Sequence, residues 1–200
     1  MAGRLLILLA VSLTAPLLAG CQSDQRPKEY GLESLPASLA PLVADADTAM
    51  ARLQRRLGAR LKAELDAGGP ITAISVCRDS AQFLTAQVAA QSRVQVGRTS
   101  HRLRSLANTP RAWVRPYIDA IMPGEKAAAF RPVALDLGDR VGLLRPIPTQ
   151  EICLACHGDP AAFSTELTLA LVDAYPEDRA TGFAVGDLRG VFWAEVPKAR

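Results

Sequence analysis

Three residues in one short stretch carry the strongest chemical signal in the 200-residue chain: Cys153, Cys156 and His157, set in Cys153-Leu154-Ala155-Cys156-His157. On a turn of helix, positions i, i+3 and i+4 share a face, so two thiols and an imidazole point the same way. Cys-x-x-Cys-His is the attachment pattern of c-type haem. The thiols of Cys153 and Cys156 would bond two haem vinyl groups, and His157 would ligate the iron from the same side. Three other readings compete. A zinc site would need Cys77 and His101 to complete it. A redox dithiol would normally open a helix after a strand in a parallel α/β unit, a pattern not visible here. A structural disulfide is the third. The histidine directly after the second cysteine, and the lack of a second Cys-x-x-Cys, favour haem.

Four cysteines are present, so two remain. Cys21 closes an N-terminal segment with a basic residue, Arg4, an apolar run from Leu5 to Leu13, and Leu18-Ala19-Gly20-Cys21. The run is too short to span a bilayer as a mature helix. The segment resembles the lipobox of bacterial lipoproteins. The expectation is that residues 1–20 are a signal peptide, that Cys21 is lipidated, and that the domain sits on the periplasmic side of the cell envelope. Gln22 rather than Asp after the cysteine tilts this toward the outer membrane. Lipid chains would hold the domain at a membrane without a spanning helix. Cys77 is then unaccounted for. It is either a buried free thiol or the second axial ligand of the haem; His101, Met50, Met122 or no ligand at all compete for that place.

The elements that must position these groups can be read from periodicity. Residues 21–39, broken by Pro27 and Pro36, read as a polar tether, leaving 40–200 as one domain. Leu42, Ala46, Met50, Leu53, Leu57, Leu61 and Leu65 form one helical stripe. Gly68-Gly69-Pro70 stops that helix and starts a second, with Cys77 on its apolar side, and the short turn predicts antiparallel packing. Val94 and Val96 predict a strand, and 97–110 a basic loop. Pro110 predicts a third helix reaching Met122. Hairpins are expected around Gly138-Asp139 and around Gly186-Asp187, the second with 181–185 as its first strand, and a helix over 164–174. Helices first and antiparallel strands later make an α+β domain.

Taken in order, Ala73-Ile74-Ser75-Val76-Cys77, Gly97-Arg98-Thr99-Ser100, Cys153-Leu154-Ala155-Cys156-His157-Gly158 and Gly186-Asp187-Leu188-Arg189-Gly190 resemble the Tll-type c-type haem-binding domain family over roughly 40–197. The resemblance implies a PAS-like antiparallel sheet flanked by N-terminal helices, carrying one covalently bound haem c. It implies iron ligation by the histidine of the motif, His157, and by an upstream cysteine, which maps onto Cys77. The sequence departs from the family where Arg104-Ser105-Leu106 stands in place of Arg-Asn-Pro, and its loop contains His101. Arg98, Arg102 and Arg104 are candidates to pair with the haem propionates, Arg98 first.

Charge excludes one class. The net charge is +3, from 23 basic and 20 acidic residues spread through the chain, with no dense basic stripe for nucleic acid. The expected role is a low-potential redox or ligand-responsive haem protein, working with the membrane through its anchor and with a redox or signalling protein partner. A membrane-anchored electron-transfer cytochrome is the alternative, and a zinc- or disulfide-stabilised binding lipoprotein is an alternative of another class. No enzyme is expected, since peroxidase or nitrite chemistry would need distal acid–base groups, and His101 is the one other histidine.

Overall fold

The computed structural model describes residues 27–198. The signal segment and Cys21 lie outside the described residues. Among those described, no helix is long and apolar enough to cross a membrane.

Five antiparallel strands make the sheet: β1 (Lys28–Gly31), β2 (Gln95–Thr99), β3 (Val133–Asp136), β4 (Arg140–Pro148) and β5 (Leu188–Pro197), in the order β1-β3-β4-β5-β2. Alternation along the strands sorts side chains to two faces. Val141, Leu143, Phe192, Ala194 and Val196 face one side, and Leu144, Val191 and Trp193 the other. Helix α1 (Ala40–Ser92) covers the first face through Ala46, Met50, Leu53 and Val88. The other face carries α2 (Arg115–Asp119), with Val114, Ile118 and Ile121 buried against it.

Helix α1 is two arms, 40–68 and 70–92, joined at Gly69, whose φ of 72° and ψ of −166° break the helical path ahead of Pro70. Glycine accepts that positive φ without a steric penalty, and Pro70 has no N–H to continue the ladder. The arms fold back on each other, because Arg56 Nη2 donates to Gln91 Oε1 at 3.0 Å across 35 residues of chain. The expected antiparallel pair is therefore present. Helices α3 (Leu154–His157) and α4 (Thr165–Ala174) follow β4. Ser164 caps α4 by accepting from Leu167 N–H at 3.2 Å, and Leu167, Leu171 and Tyr175 pack against Ile74 of the second arm.

Three expectations are corrected. Residues 21–39 are not tether throughout: Lys28–Gly31 pair with β3 as an edge strand, and Tyr30, Leu35 and Leu39 join the core. Free edge groups of β3 are thereby paired, which a sheet edge favours. The third helix does not run from Pro110 to Met122 but spans only Arg115–Asp119. Pro116 fits its first turn, and the residue before Pro123 is biased out of the helical region. The last hairpin has no first strand: 181–185 are irregular, and β5 pairs with β4 and β2 instead. The backbone of 181–185 is committed elsewhere, as follows.

Candidate functional site

Residues 150–158 build the first wall of the site. A 3-10 turn, Glu151–Cys153, runs into α3, and Gly158 closes it by donating to Leu154 O at 3.0 Å. A Cβ on Gly158 would lie 2.7 Å from Leu154 O, so only glycine permits this close return of the chain. The segment ahead of β5 then clamps the turn. Gly182 N–H donates to Gly158 O at 2.6 Å and Phe183 N–H to His157 O at 2.9 Å. Those bonds occupy the donors a strand would have used.

The same segment orients the imidazole. His157 Nδ1 lies 2.5 Å from Ala180 O. A carbonyl only accepts, so the hydrogen resides on Nδ1 and Nε2 keeps its lone pair for a metal. Burial, with Arg189 and Arg104 nearby, holds the His157 pKa well below its ordinary 6.5 and keeps the ring neutral. Burial also pushes the Cys156 thiol up. Arg104 braces the arrangement. It donates through Nη2 to Cys156 O at 2.5 Å and through Nε to Asp178 Oδ2 at 3.0 Å, while Asp178 Oδ1 accepts from Ala180 N–H at 2.7 Å. Arg104 and Asp178 are only 10% and 11% exposed. Arg102 is spent in the same way: Nε donates to Arg179 O at 3.0 Å, Nη2 to Thr181 O, and the guanidinium stacks on Phe183. Both arginines thus brace the loop around the Cys-x-x-Cys-His turn, and Arg104 also lines the cleft described next.

A cleft opens in front of this wall. Its lining includes Cys153, Cys156 and His157, together with Cys77 on the second arm of α1. Leu57, Leu61 and Leu65 of the first arm, Ile74, Ile147 and Phe192 supply apolar walls. The helical stripe read from the sequence thus serves two purposes: Ala46, Met50 and Leu53 pack on the sheet, and Leu57 onward lines the cleft. The cleft holds about 1280 Å³ of space, its solvent-open mouth included. Arg98, from β2, and Arg189, from β5, line it too. Burial lowers the Arg98 pKa, while Cys77 and Tyr175 nearby oppose the shift. Burial, with Arg104 and Arg98 close by, brings Arg189 down to about 9. Tyr175, also in the lining, is pushed up to about 12 by burial and by Cys77.

The candidates for the second axial position separate on position alone. Met50 is buried between α1 and the sheet, and Met122 is 67% exposed. His101 stands outside the cleft lining, edge-on to Phe183 with ring centroids 5.9 Å apart. Cys77 alone of the four lines the cleft. The three described cysteines are free thiols. Among the described residues no three His, Cys, Asp or Glu side chains gather closely enough to hold a bare metal ion, which disfavours the zinc reading. Two thiols and a neutral imidazole on one turn, a third thiol in the same lining, apolar walls and the Arg98 and Arg189 guanidinium groups instead suit a flat apolar macrocycle with carboxylate arms.

The sequence reading missed Arg189, the Arg104–Asp178 brace and the Ala180 carbonyl. Only Arg189 left a signal: it is the one basic residue in the run Leu188–Pro197. It also joins two motifs far apart in sequence, because Ser100 Oγ donates to Arg189 O at 2.6 Å and accepts from Arg189 Nη1 at 3.1 Å.

The comparison with curated proteins gives no match. A solved structure described as the crystal structure of the cyanobacterial heme-protein Tll0287 is similar, with a TM-score of 0.57 and 24% sequence identity, covering 84% of this chain and 99% of that one. The sequence model of the Tll0287-like family matches residues 22–197. That match takes in every described element, and the chain belongs to the Tll0287-like family.

Proposed function

We propose that this chain is an envelope c-type cytochrome domain that binds one haem covalently through Cys153 and Cys156, with His157 and Cys77 as the axial ligands. The observation that carries the reading is the cleft itself: it gathers the three groups of the Cys-x-x-Cys-His turn and the lone upstream thiol around one space. The orientation of His157, with Nε2 left free by the bond to Ala180 O, supports it. The similarity to a protein described as a heme-protein supports it as well. Cys153 and Cys156 would supply the thiols that add across the two vinyl groups to give thioethers. When bound, the haem supplies one-electron chemistry between the ferric and ferrous states.

A thiolate from Cys77 donates electron density and favours the ferric state, so the potential would be low. The two axial residues sit on separate elements, His157 on a clamped turn and Cys77 on the second arm of α1. Cys77 would therefore be able to shift without movement of the clamped turn, which suits redox or ligand response over plain electron carriage. The antiparallel sheet with its helical cover is consistent with a PAS-like arrangement. Anchoring through a lipidated Cys21 would keep the domain at the periplasmic face of a membrane, with a redox or signalling partner receiving the output.

The test is the absorption spectrum after expression with the c-type maturation machinery, followed by low-temperature EPR of the ferric protein and of Cys77→Ala. The expected result is a Soret band, and a low-spin thiolate signal lost in the variant. Absence of a Soret band would refute the haem reading. A thiolate signal that persists in Cys77→Ala would refute the ligand assignment. A ferrous form that keeps both ligands and ignores CO would favour electron carriage.

A further inference from the structure

Five arginines approach the cleft or the turn that borders it, and they divide into two kinds. Arg102 and Arg104 are satisfied by carbonyls of Cys156, Arg179 and Thr181 and by Asp178. Arg78, at the rim, pairs with its neighbour Asp79 at 3.0 Å. Arg98 and Arg189 are different. Arg189 uses only Nη1, toward Ser100 Oγ and, at 3.4 Å, Arg102 O. Its Nε is buried with no hydrogen-bond partner among the described residues. The Arg98 side chain forms no hydrogen bond or ion pair with the described residues, although it lines the same cleft. A buried guanidinium nitrogen without an acceptor is costly, so such groups await one from a ligand.

Charge leads to the same conclusion. The groups facing this region are Arg98 from β2, Arg189 from β5, Arg104 and Asp178 from the loops, His157 from α3, Cys77 from α1, and Tyr175 after α4. Asp178 is ion-paired to Arg104, and although its charge also reaches Arg189, neither Arg98 nor Arg189 forms an ion pair among the described residues. Two positive charges in an apolar cleft call for a ligand with two negative ones. The positions also fit: Thr99 and Val191 are cross-strand partners, so Arg98 and Arg189 flank the same end of the β2–β5 pair.

We propose that Arg98 and Arg189 form a paired guanidinium clamp for the two carboxylates of the group seated in the cleft, the haem propionates, while Arg102 and Arg104 take no part. This rests on the haem reading above. Guanidinium forks match carboxylate geometry, and both donors come from rigid strands rather than from loops. The clamp also raises the potential of the haem relative to one with neutral residues there, because positive charge in a low-dielectric cleft disfavours the more positive ferric state.

The test uses the mature holoprotein in four variants: Arg98→Gln, Arg189→Gln, Arg189→Lys, and Arg111→Gln as a control that removes the same charge near Trp193 on the other face of the sheet. Arg189→Lys keeps the charge and a donor for Ser100, so the experiment survives if Arg189→Gln does not fold. Resonance Raman reads the propionate bending modes, and spectroelectrochemistry reads the midpoint potential. The expected result is a shifted propionate mode in Arg98→Gln and in both Arg189 variants. The potential should fall in the two glutamine variants, stay near wild type in Arg189→Lys, and be unmoved in Arg111→Gln. A Soret band with propionate modes unchanged, or changed at only one of the two positions, overturns the clamp and leaves the haem reading intact. A wild-type protein with no Soret band overturns both.

Discussion

Arg104→Met tests how the Cys-x-x-Cys-His turn is held. Arg104 and Asp178 form a 2.9 Å ion pair with both side chains about nine-tenths buried, and Arg104 also bonds the Cys156 carbonyl. Methionine keeps most of the side-chain volume but leaves the Asp178 carboxylate buried with the Ala180 N–H as its remaining partner. Removing one member of a buried pair costs about 3–5 kcal/mol, and the residual exposure of both groups puts this case near the lower end, about 3 kcal/mol. In a domain of this size that corresponds to a Tm lower by roughly 6–12 °C. The assay is thermal and urea unfolding of the purified domain, with absorbance of the covalent haem per protein as a second readout. The double variant Arg104→Met/Asp178→Asn removes both charges and keeps an acceptor for Ala180 N–H, so it should recover most of the loss. The reasoning fails if Arg104→Met is within about 0.5 kcal/mol of wild type, or if the double variant is no more stable than the single one.

Gly97→Ala should destabilise by about 1–3 kcal/mol through overpacking, because the new Cβ would meet the Trp193 ring at 2.4 Å; a urea midpoint equal to wild type would rule out that contact. Asp187 accepts from Lys126 Nζ and from Ala184 N–H at 2.8 Å, which hold its pKa below the ordinary 3.8. The unfolded chain then binds the proton more readily, so this stabilisation is present above about pH 3.8 and is lost as pH falls through the lower folded value. Wild type should lose more stability than Asp187→Asn between pH 6 and pH 3, and equal losses would contradict the assignment. Cys21→Ala should release the protein from membranes into the soluble periplasmic fraction, checked by fractionation; continued membrane retention would refute lipid anchoring at that residue.

The sequence by itself marked the candidate residues of one wall and determined the kind of fold. Cys153, Cys156 and His157 need no tertiary information to be recognised, because a single helical turn sets their spacing. The break at Gly69-Pro70, the strand at Val96, the hairpin around Gly138 and the helix after Ser164 were legible because each is a local signal of backbone freedom, alternation or capping. The non-strand character of 181–185 was not, because it depends on where the backbone donors go, and they go to Gly158 and His157, over 20 residues away. The same limit applied to the arginines. The sequence put Arg98 ahead of Arg102 and Arg104 but could not say how each is used; folding gives Arg102 and Arg104 to carbonyls and Asp178, and leaves Arg98 without such partners in the cleft beside Arg189 from the far end of the chain. Cys77 was marked by elimination, by its place on the apolar side of a helix and by the family resemblance. Only the fold-back of the two α1 arms placed it in the cleft while Met50 went into the core and Met122 to the surface. Local chemistry follows from spacing along the chain; which groups share a cleft follows from packing, and packing is decided by contacts between residues distant in sequence.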